Sequence, residues 1–484
     1  MKTLHLTNAW AETSGGIATF YKALMAGANR RNRAIRLVVP AAEDRVEQVG
    51  ECGKIYHIRA PKAPFNSAYR TIYPSQYLVV GSRLQSILAS ERPDLIEICD
   101  KYTFNYLGAL IRMRLVPALD YRPVVVGFSQ ERMDDNVRAY LGSAPFARIF
   151  CSIYMKWLYF PFFDHHIANS EYTAAELRSV ADGHLVPRGT WIRPMGVDLE
   201  HLSPLRRKPE LRRRLLQNFG SGEDGILLLY AGRLVPEKNL RLLFDVLARL
   251  ARDTEREYRL LVVGDGIERD AWERKCQQET PGSAFFFGHI GDRNVLADLY
   301  ANADVFVHPN PREPFGIAPL EAMASGLPLV APNDGGVTTY ANNENAWTVD
   351  ASVEAFVAAI REASGPTLVA QKRERAIQTA QRYQWDRVAD SFLELYDELY
   401  RQGSPNNTAQ TPVFYSTQAK GLEAALTRGV ANLAADTFRF WSKRAARKNL
   451  PLEGKIPREN ARPEEPSGRD AAAGDPPTCA SATV

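Results

Sequence analysis

Short apolar runs alternate with amphipathic stretches along most of this 484-residue chain. Runs at 4–7, 37–40, 95–98 and 124–126 read as strands, each followed by a helical pattern, the first over 17–27. The rhythm repeats at 226–230, 260–263, 284–287, 305–308 and 329–331. Continuous apolar strands separated by helices mark parallel sheets covered on both faces. One sheet of this many strands would exceed the roughly 10 that open sheets tolerate. The pattern therefore predicts an α/β chain with two sheets. The turn-rich segment GVDLEHLSP at 196–204 separates the two series, placing one domain at 1–198 and a second at 199–385, with a terminal helix at 386–402.

Past that helix the pattern changes. Residues 403–411 form a polar linker, and 419–448 read as an amphipathic helix with Leu422, Leu426, Val430, Leu433 and Trp441 on one face. Lys443, Arg444, Arg447 and Lys448 gather at its end. Residues 449–484 are rich in Pro, Glu, Gly and Ala and have little to bury, so disorder is expected there.

Composition narrows the classes. With 60 basic and 56 acidic residues the net charge is +4, which lacks the dense basic stripe of a nucleic-acid binder. The five cysteines are scattered without metal-ligand spacing and fit a reducing compartment. The start, MKTLHLTNAW, turns polar too soon for a signal peptide, and the aromatic stretch 146–163 is broken by Arg148, Lys156 and Pro161. The expected location is cytoplasmic, with a peripheral place on the inner membrane face left open.

The richest chemistry lies in PREPFGIAPLEAMASGLPLVAPNDGG, 311–336. Pro319 suits a first helical turn and Gly326 its end. Glu313 then lies in the loop before the helix, and Glu321 in or near its first turn. Backbone amides around Gly316 would face an anion, and flanking carboxylates would accept from sugar hydroxyls. Taken alone, the two glutamates also fit a plain helix start. In AGRLVPEKNL, 231–240, Arg233 and Lys238 flank a βα turn, where open α/β sheets bind ligands. Two fixed cations there could neutralise a diphosphate, and no Asp-x-Asp occurs for a divalent metal. No metal or other cofactor is expected. Gly15 and Gly16, after the first strand, allow close backbone approach to a phosphate, although a plain turn explains them equally. Gly264 and Gly266 are no dinucleotide fingerprint, since Arg269 stands at the third glycine position.

EPFGIAPLEAMASGLPLV resembles the signature of the family 4 (group 1) glycosyltransferases, with its two glutamates eight positions apart (321 − 313 = 8). GRLVPEKN, VGDGIERD, FFFGHI and DHHIANSEYTAAEL resemble further segments of that family in the same order. The resemblance covers roughly residues 2–402 and implies the GT-B fold, two Rossmann-like domains facing a cleft, with transfer that retains anomeric configuration. It implies that Arg233 and Lys238 hold a nucleotide-diphosphate sugar, that Glu313 touches the transferred sugar, and that the amides of Phe315, Gly316 and Ile317 touch sugar and phosphate. It further implies that Glu321 binds ribose, that Gly288 and Ile290 border the base, and that Gly15 and Gly16 lie by the phosphates.

One departure stands out. After the strand at 124–126 many members carry a histidine, whereas this chain runs VVVGFSQERMDD. Gln130 takes the place and cannot titrate. IEICDKYTFNYLG with SQERMDD looks most like bacterial GDP-mannose-dependent α-mannosyltransferases acting on lipid or polysaccharide acceptors. His165 and His166 read as structural. The stretch 146–163 and the helix 419–448 each read two ways, as packing elements or as contacts with an anionic membrane. The expected function is hexose transfer onto a lipid-linked or saccharide acceptor, with mannose from GDP-mannose as the candidate sugar. The rivals are an epimerase of the same fold and a non-catalytic partner subunit.

Overall fold

The computed structural model describes residues 1–403 except 11–15, 64–68, 142–144, 182–188 and 366–368; the side chains of 140–141 and 145–147 are also set aside. Gly15, the linker beyond Gly403, the helix at 419–448 and the tail at 449–484 lie outside the described residues.

Two sheets form. The first contains β1 (Thr3–Thr7), β2 (Ile35–Ala41), β3 (Arg45–Val49), β4 (Gly53–Arg59), β5 (Leu95–Cys99), β6 (Val124–Ser129), β7 (His165–Ala168) and β8 (Thr190–Ile192). Its order is β3-β4-β2-β1-β5-β6-β7-β8, parallel except for the antiparallel β3–β4 pair. The second contains β9 (Ile226–Ala231), β10 (Tyr258–Val263), β11 (Ala284–Gly288), β12 (Val305–Val307), β13 (Leu329–Pro332) and β14 (Trp347–Val349). Its order, β11-β10-β9-β12-β13-β14, is all parallel. Numbered within the sheet this is 3-2-1-4-5-6, the doubly wound Rossmann order, whose ligands bind where the winding reverses. That point lies between β9 and β12.

The central strands read as unbroken apolar runs because helices cover both faces: Leu227, Leu228 and Leu229 of β9 are all buried. The edge strand β3, RVEQV, is mostly exposed and polar, which limits edge-to-edge pairing.

The last described helix, Trp385–Gly403, belongs to the second half in sequence but packs on the first. Its Phe392 meets Phe20 at 4.8 Å between ring centroids, and Asp397 pairs with Arg33. Tyr396 donates to the buried Glu97 carboxylate, which also receives Tyr21 and His5. Gly196 makes the crossing possible, since a Cβ there would lie 2.4 Å from the Trp385 ring. Among the described residues no helix is long and apolar enough to cross a membrane.

Candidate active site

The loops after the strands of the two sheets face each other across a cleft. Gly16, after β1, approaches Ile317, after β12: a Cβ on Gly16 would sit 2.9 Å from the Ile317 side chain. Ser170, after β7, donates to the Pro314 carbonyl at 2.5 Å. Asp135, past β6, faces Arg312 at 3.7 Å.

At the winding reversal of the second sheet, the chain leaves β9 through a tight turn, Pro236–Lys238, and Asn239 adopts the left-handed conformation (φ 53°). The Asn239 amide donates to the Pro309 carbonyl at 2.8 Å, tying this turn to the end of β12. The result is a direct pair. Lys238 Nζ donates to both Glu313 oxygens, at 2.9 and 2.8 Å, and Asn310 donates to Oε2 at 3.2 Å. The Glu313 side chain is 11% exposed and that of Lys238 19%, so neither is merely solvated. Burial alone would raise the Glu313 carboxyl, but the Lys238 ammonium and the bonds from Lys238 and Asn310 prevail and pull it down to about 2. His308 lies 4.0 Å away; burial pushes its imidazole down to about 4, against the pull of Glu313, so it is neutral at pH 7.

The loop carrying Glu313 is fixed by close backbone packing. The Gly336 amide donates to the Glu313 carbonyl at 2.6 Å, and a Cβ on Gly336 would lie 1.9 Å from the Pro314 carbonyl oxygen. Gly316 is left-handed (φ 85°) and starts the helix Ile317–Ala324 without a side-chain cap. Phe315 is buried against Tyr340. Uncapped amides at this helix start suit an anion.

The remaining predicted residues separate by distance and setting. Arg233 is half exposed and pairs with Glu237 at 3.2 Å. Glu321 sits just past the first helical turn and accepts from Tyr300 at 2.8 Å; burial raises its carboxyl, partly offset by that bond. Gly288 (φ 73°) ends β11, and its carbonyl accepts from Gly264, with partly buried Ile290 beyond. Gln130 stands on the opposite wall after β6. Its Nε2 is buried with no hydrogen-bond partner among the described residues. His165 and His166 open β7 at the sheet's other edge. His166 stacks on Phe160 at 4.6 Å, and burial pushes it down to about 3, a structural setting.

Sequence reasoning missed one group on the first sheet's edge. Lys101, directly after β5, is 2% exposed and donates to Glu176 Oε2 and the Glu131 carbonyl, both at 2.5 Å. The other Glu176 oxygen receives the Met133 and Asp134 amides. This pair anchors the turn that carries Gln130. A lysine immediately after an apolar strand, CDKY, was the available signal.

Residues 212–383 match the family described as Glycosyl transferases group 1, and residues 14–201 match Glycosyltransferase Family 4. With the GT-B architecture just described, the chain belongs to the family 4, group 1 glycosyltransferases and is a sugar-transferring enzyme. Among its relatives is a GDP-mannose-dependent alpha-(1-6)-phosphatidylinositol dimannoside mannosyltransferase of Mycobacterium tuberculosis. It is 28% identical over 403 residues, covering 81% of this chain and 95% of the relative. A GDP-mannose-dependent alpha-mannosyltransferase of the same species is 30% identical over 304 residues, 61% of this chain and 69% of the relative. Among solved structures, sucrose-phosphate synthase from Thermosynechococcus elongatus shares the fold, with a TM-score of 0.65 at 20% identity over 83% of this chain and 100% of that one.

Proposed function

We propose that this glycosyltransferase moves mannose from GDP-mannose, with retention of configuration and without a metal, onto a lipid-linked or saccharide acceptor. The observation that carries the reading is the Lys238–Glu313 pair at the winding reversal of the second sheet, in a chain that has GDP-mannose-dependent mannosyltransferases among its relatives. Arg233 and Lys238 receive the diphosphate, and the amides of Phe315–Ile317 and Gly16 approach its oxygens. Glu313 accepts from hydroxyls of the transferred sugar, Glu321 from the ribose, and the backbone at Gly288–Ile290 borders the base. Gln130 offers its buried amide to the sugar or the acceptor.

The acceptor oxygen attacks the anomeric carbon on the face from which the phosphate departs. The bond from that carbon to the phosphate oxygen breaks as the new one forms, and the acceptor proton passes to the leaving phosphate. Cations fixed before the reaction stabilise that developing charge. The first test is thermal stability with GDP-mannose, UDP-glucose and ADP-glucose, because a ligand of the folded state raises its apparent stability. GDP-mannose should give the largest shift, and transferred mannose should keep its α configuration by NMR. A larger shift with another sugar nucleotide, or an inverted product, refutes the assignment.

A further inference from the structure

The helix Pro145–Tyr154 and the π turn Met155–Tyr159 that continues it bury one face and leave the other bare. Cys151, Tyr154, Met155 and Tyr159 are in the core, whereas Ile149 is 59% exposed, Ile153 55% and Trp157 56%. Four-residue steps drift slowly around a helix of 3.6 residues per turn, and the wider π turn offsets that drift, keeping Trp157 in line with Ile153. Three large apolar side chains in one exposed row are uncommon on a surface that meets only water.

The charges on this segment itself are of one sign. Residues 145–163 contain Arg148 and Lys156 and no Asp or Glu. Arg148 is exposed, and the Lys156 ammonium lies over the Trp157 ring at 5.7 Å. An apolar row with a tryptophan, edged by cations, is how a helix lies in the headgroup layer of an anionic bilayer. The placement also suits the chemistry. This helix packs on the helix Met133–Leu141, whose first turn carries Asp135 opposite Arg312 at the cleft.

We propose that the Ile149–Ile153–Trp157 face seats the enzyme on an anionic membrane, so that the cleft meets the headgroup of a lipid-borne acceptor. The proposal rests on the lipid-acceptor reading above, but its test does not depend on turnover. Flotation of the full chain would be measured with phosphatidylcholine vesicles with and without phosphatidylglycerol. Binding should require the anionic lipid and weaken with salt. Ile149→Ser/Ile153→Ser/Trp157→Ser should lower vesicle affinity about tenfold or more. Arg148→Ala/Lys156→Ala should lower it about 25-fold, at about fivefold per charge. Ile149, Ile153 and Trp157 are more than half exposed and Arg148 is exposed, so the triple variant, and Arg148→Ala alone with its roughly fivefold weakening, should keep the wild-type melting temperature and its donor-induced shift. A chain ending at Gly403 should still float. The proposal falls if the wild type does not float, if both variants float like it, or if flotation vanishes only on truncation, which would assign contact to residues 404–484. A donor shift that fails while flotation still depends on this face would refute the donor reading and leave this one standing.

Discussion

Replacing Lys238 by methionine keeps most of the side chain's volume and removes the charge that the buried Glu313 carboxylate depends on. The magnitude follows from that carboxylate. Its value falls from an ordinary 4.5 to about 2, a drop of about 2.5, and at about 1.4 kcal/mol per unit this is roughly 3–4 kcal/mol. With the Glu313 side chain only 11% exposed, solvent screens little of it. Breaking a buried pair by removing one partner commonly costs about 3–5 kcal/mol, in agreement. Because the folded-state value lies below the unfolded one, the contribution is complete above about pH 4.5 and is lost as pH falls through about 2. Urea unfolding at pH 7 should therefore show Lys238→Met about 3 kcal/mol less stable than wild type, with the gap closing toward pH 2.

A second substitution isolates the cause. Lys238→Met/Glu313→Gln leaves no buried charge and should recover most of the loss, giving a coupling of about 2–3 kcal/mol in the double-mutant cycle. Turnover should fall about a hundred- to thousandfold in the single variant and stay low in the double, because the diphosphate then lacks a fixed cation. A single variant within about 0.5 kcal/mol of wild type, or a double variant no more stable than the single, would refute the reasoning.

Other consequences are simpler. Arg233→Ala should lower turnover about a hundred- to thousandfold yet shift stability by under about 0.5 kcal/mol, since its side chain is half exposed; near-normal turnover would remove it from the site. Transfer should persist in excess chelator, and loss restored by magnesium would overturn the metal-free reading. Gly264→Ala should cost about 3 kcal/mol or more in urea unfolding, because φ is +133° and a Cβ would stand 1.9 Å from the Gly232 carbonyl oxygen; wild-type stability would contradict that geometry.

The strands of the second sheet were legible because burial on both faces leaves almost no polar residue in ILLLYA or VFV. The β3–β4 hairpin was not: RVEQV is an exposed edge with little apolar content. Arg233, Lys238, Glu313 and Glu321 stood out in the sequence by residue type and motif. Their mutual distances did not, because the strand order alone brings Lys238 to Glu313, 75 positions apart (313 − 238 = 75). The same holds for Tyr396 and Glu97, which meet only because the last helix crosses to the first sheet. Lys101 with Glu176 was hidden for a further reason: a buried ion pair leaves no periodicity, and either residue alone reads as surface.

Gln130 is where the sequence departs from its family, and the structure gives that departure a measurable consequence. Its amide Nε2 is buried on the wall opposite Glu313 and unpartnered among the described residues, and its turn is held by Lys101 and Glu176. An amide there can orient a hydroxyl at any pH. Of the buried histidines, burial pushes His308 to about 4 and His166 to about 3, so both stay neutral from pH 5.5 upward. Gln130→Ala should then lower turnover, since a truncated side chain leaves the hydroxyl unoriented. Gln130→His should retain more activity at pH 8 and lose it as pH falls through about 6.5, where an unperturbed imidazole takes up a proton and loses its last acceptor. Glu131 adjoins this position, its carboxyl raised by burial against the pull of Lys101; where ionised it holds the imidazole's proton and moves the variant's loss to higher pH, while the wild-type amide is unaffected. Profiles of turnover against pH for wild type and Gln130→His decide the matter. Superimposable profiles, or undiminished turnover in Gln130→Ala, would place Gln130 outside the reaction and leave the hydroxyls to Glu313 alone.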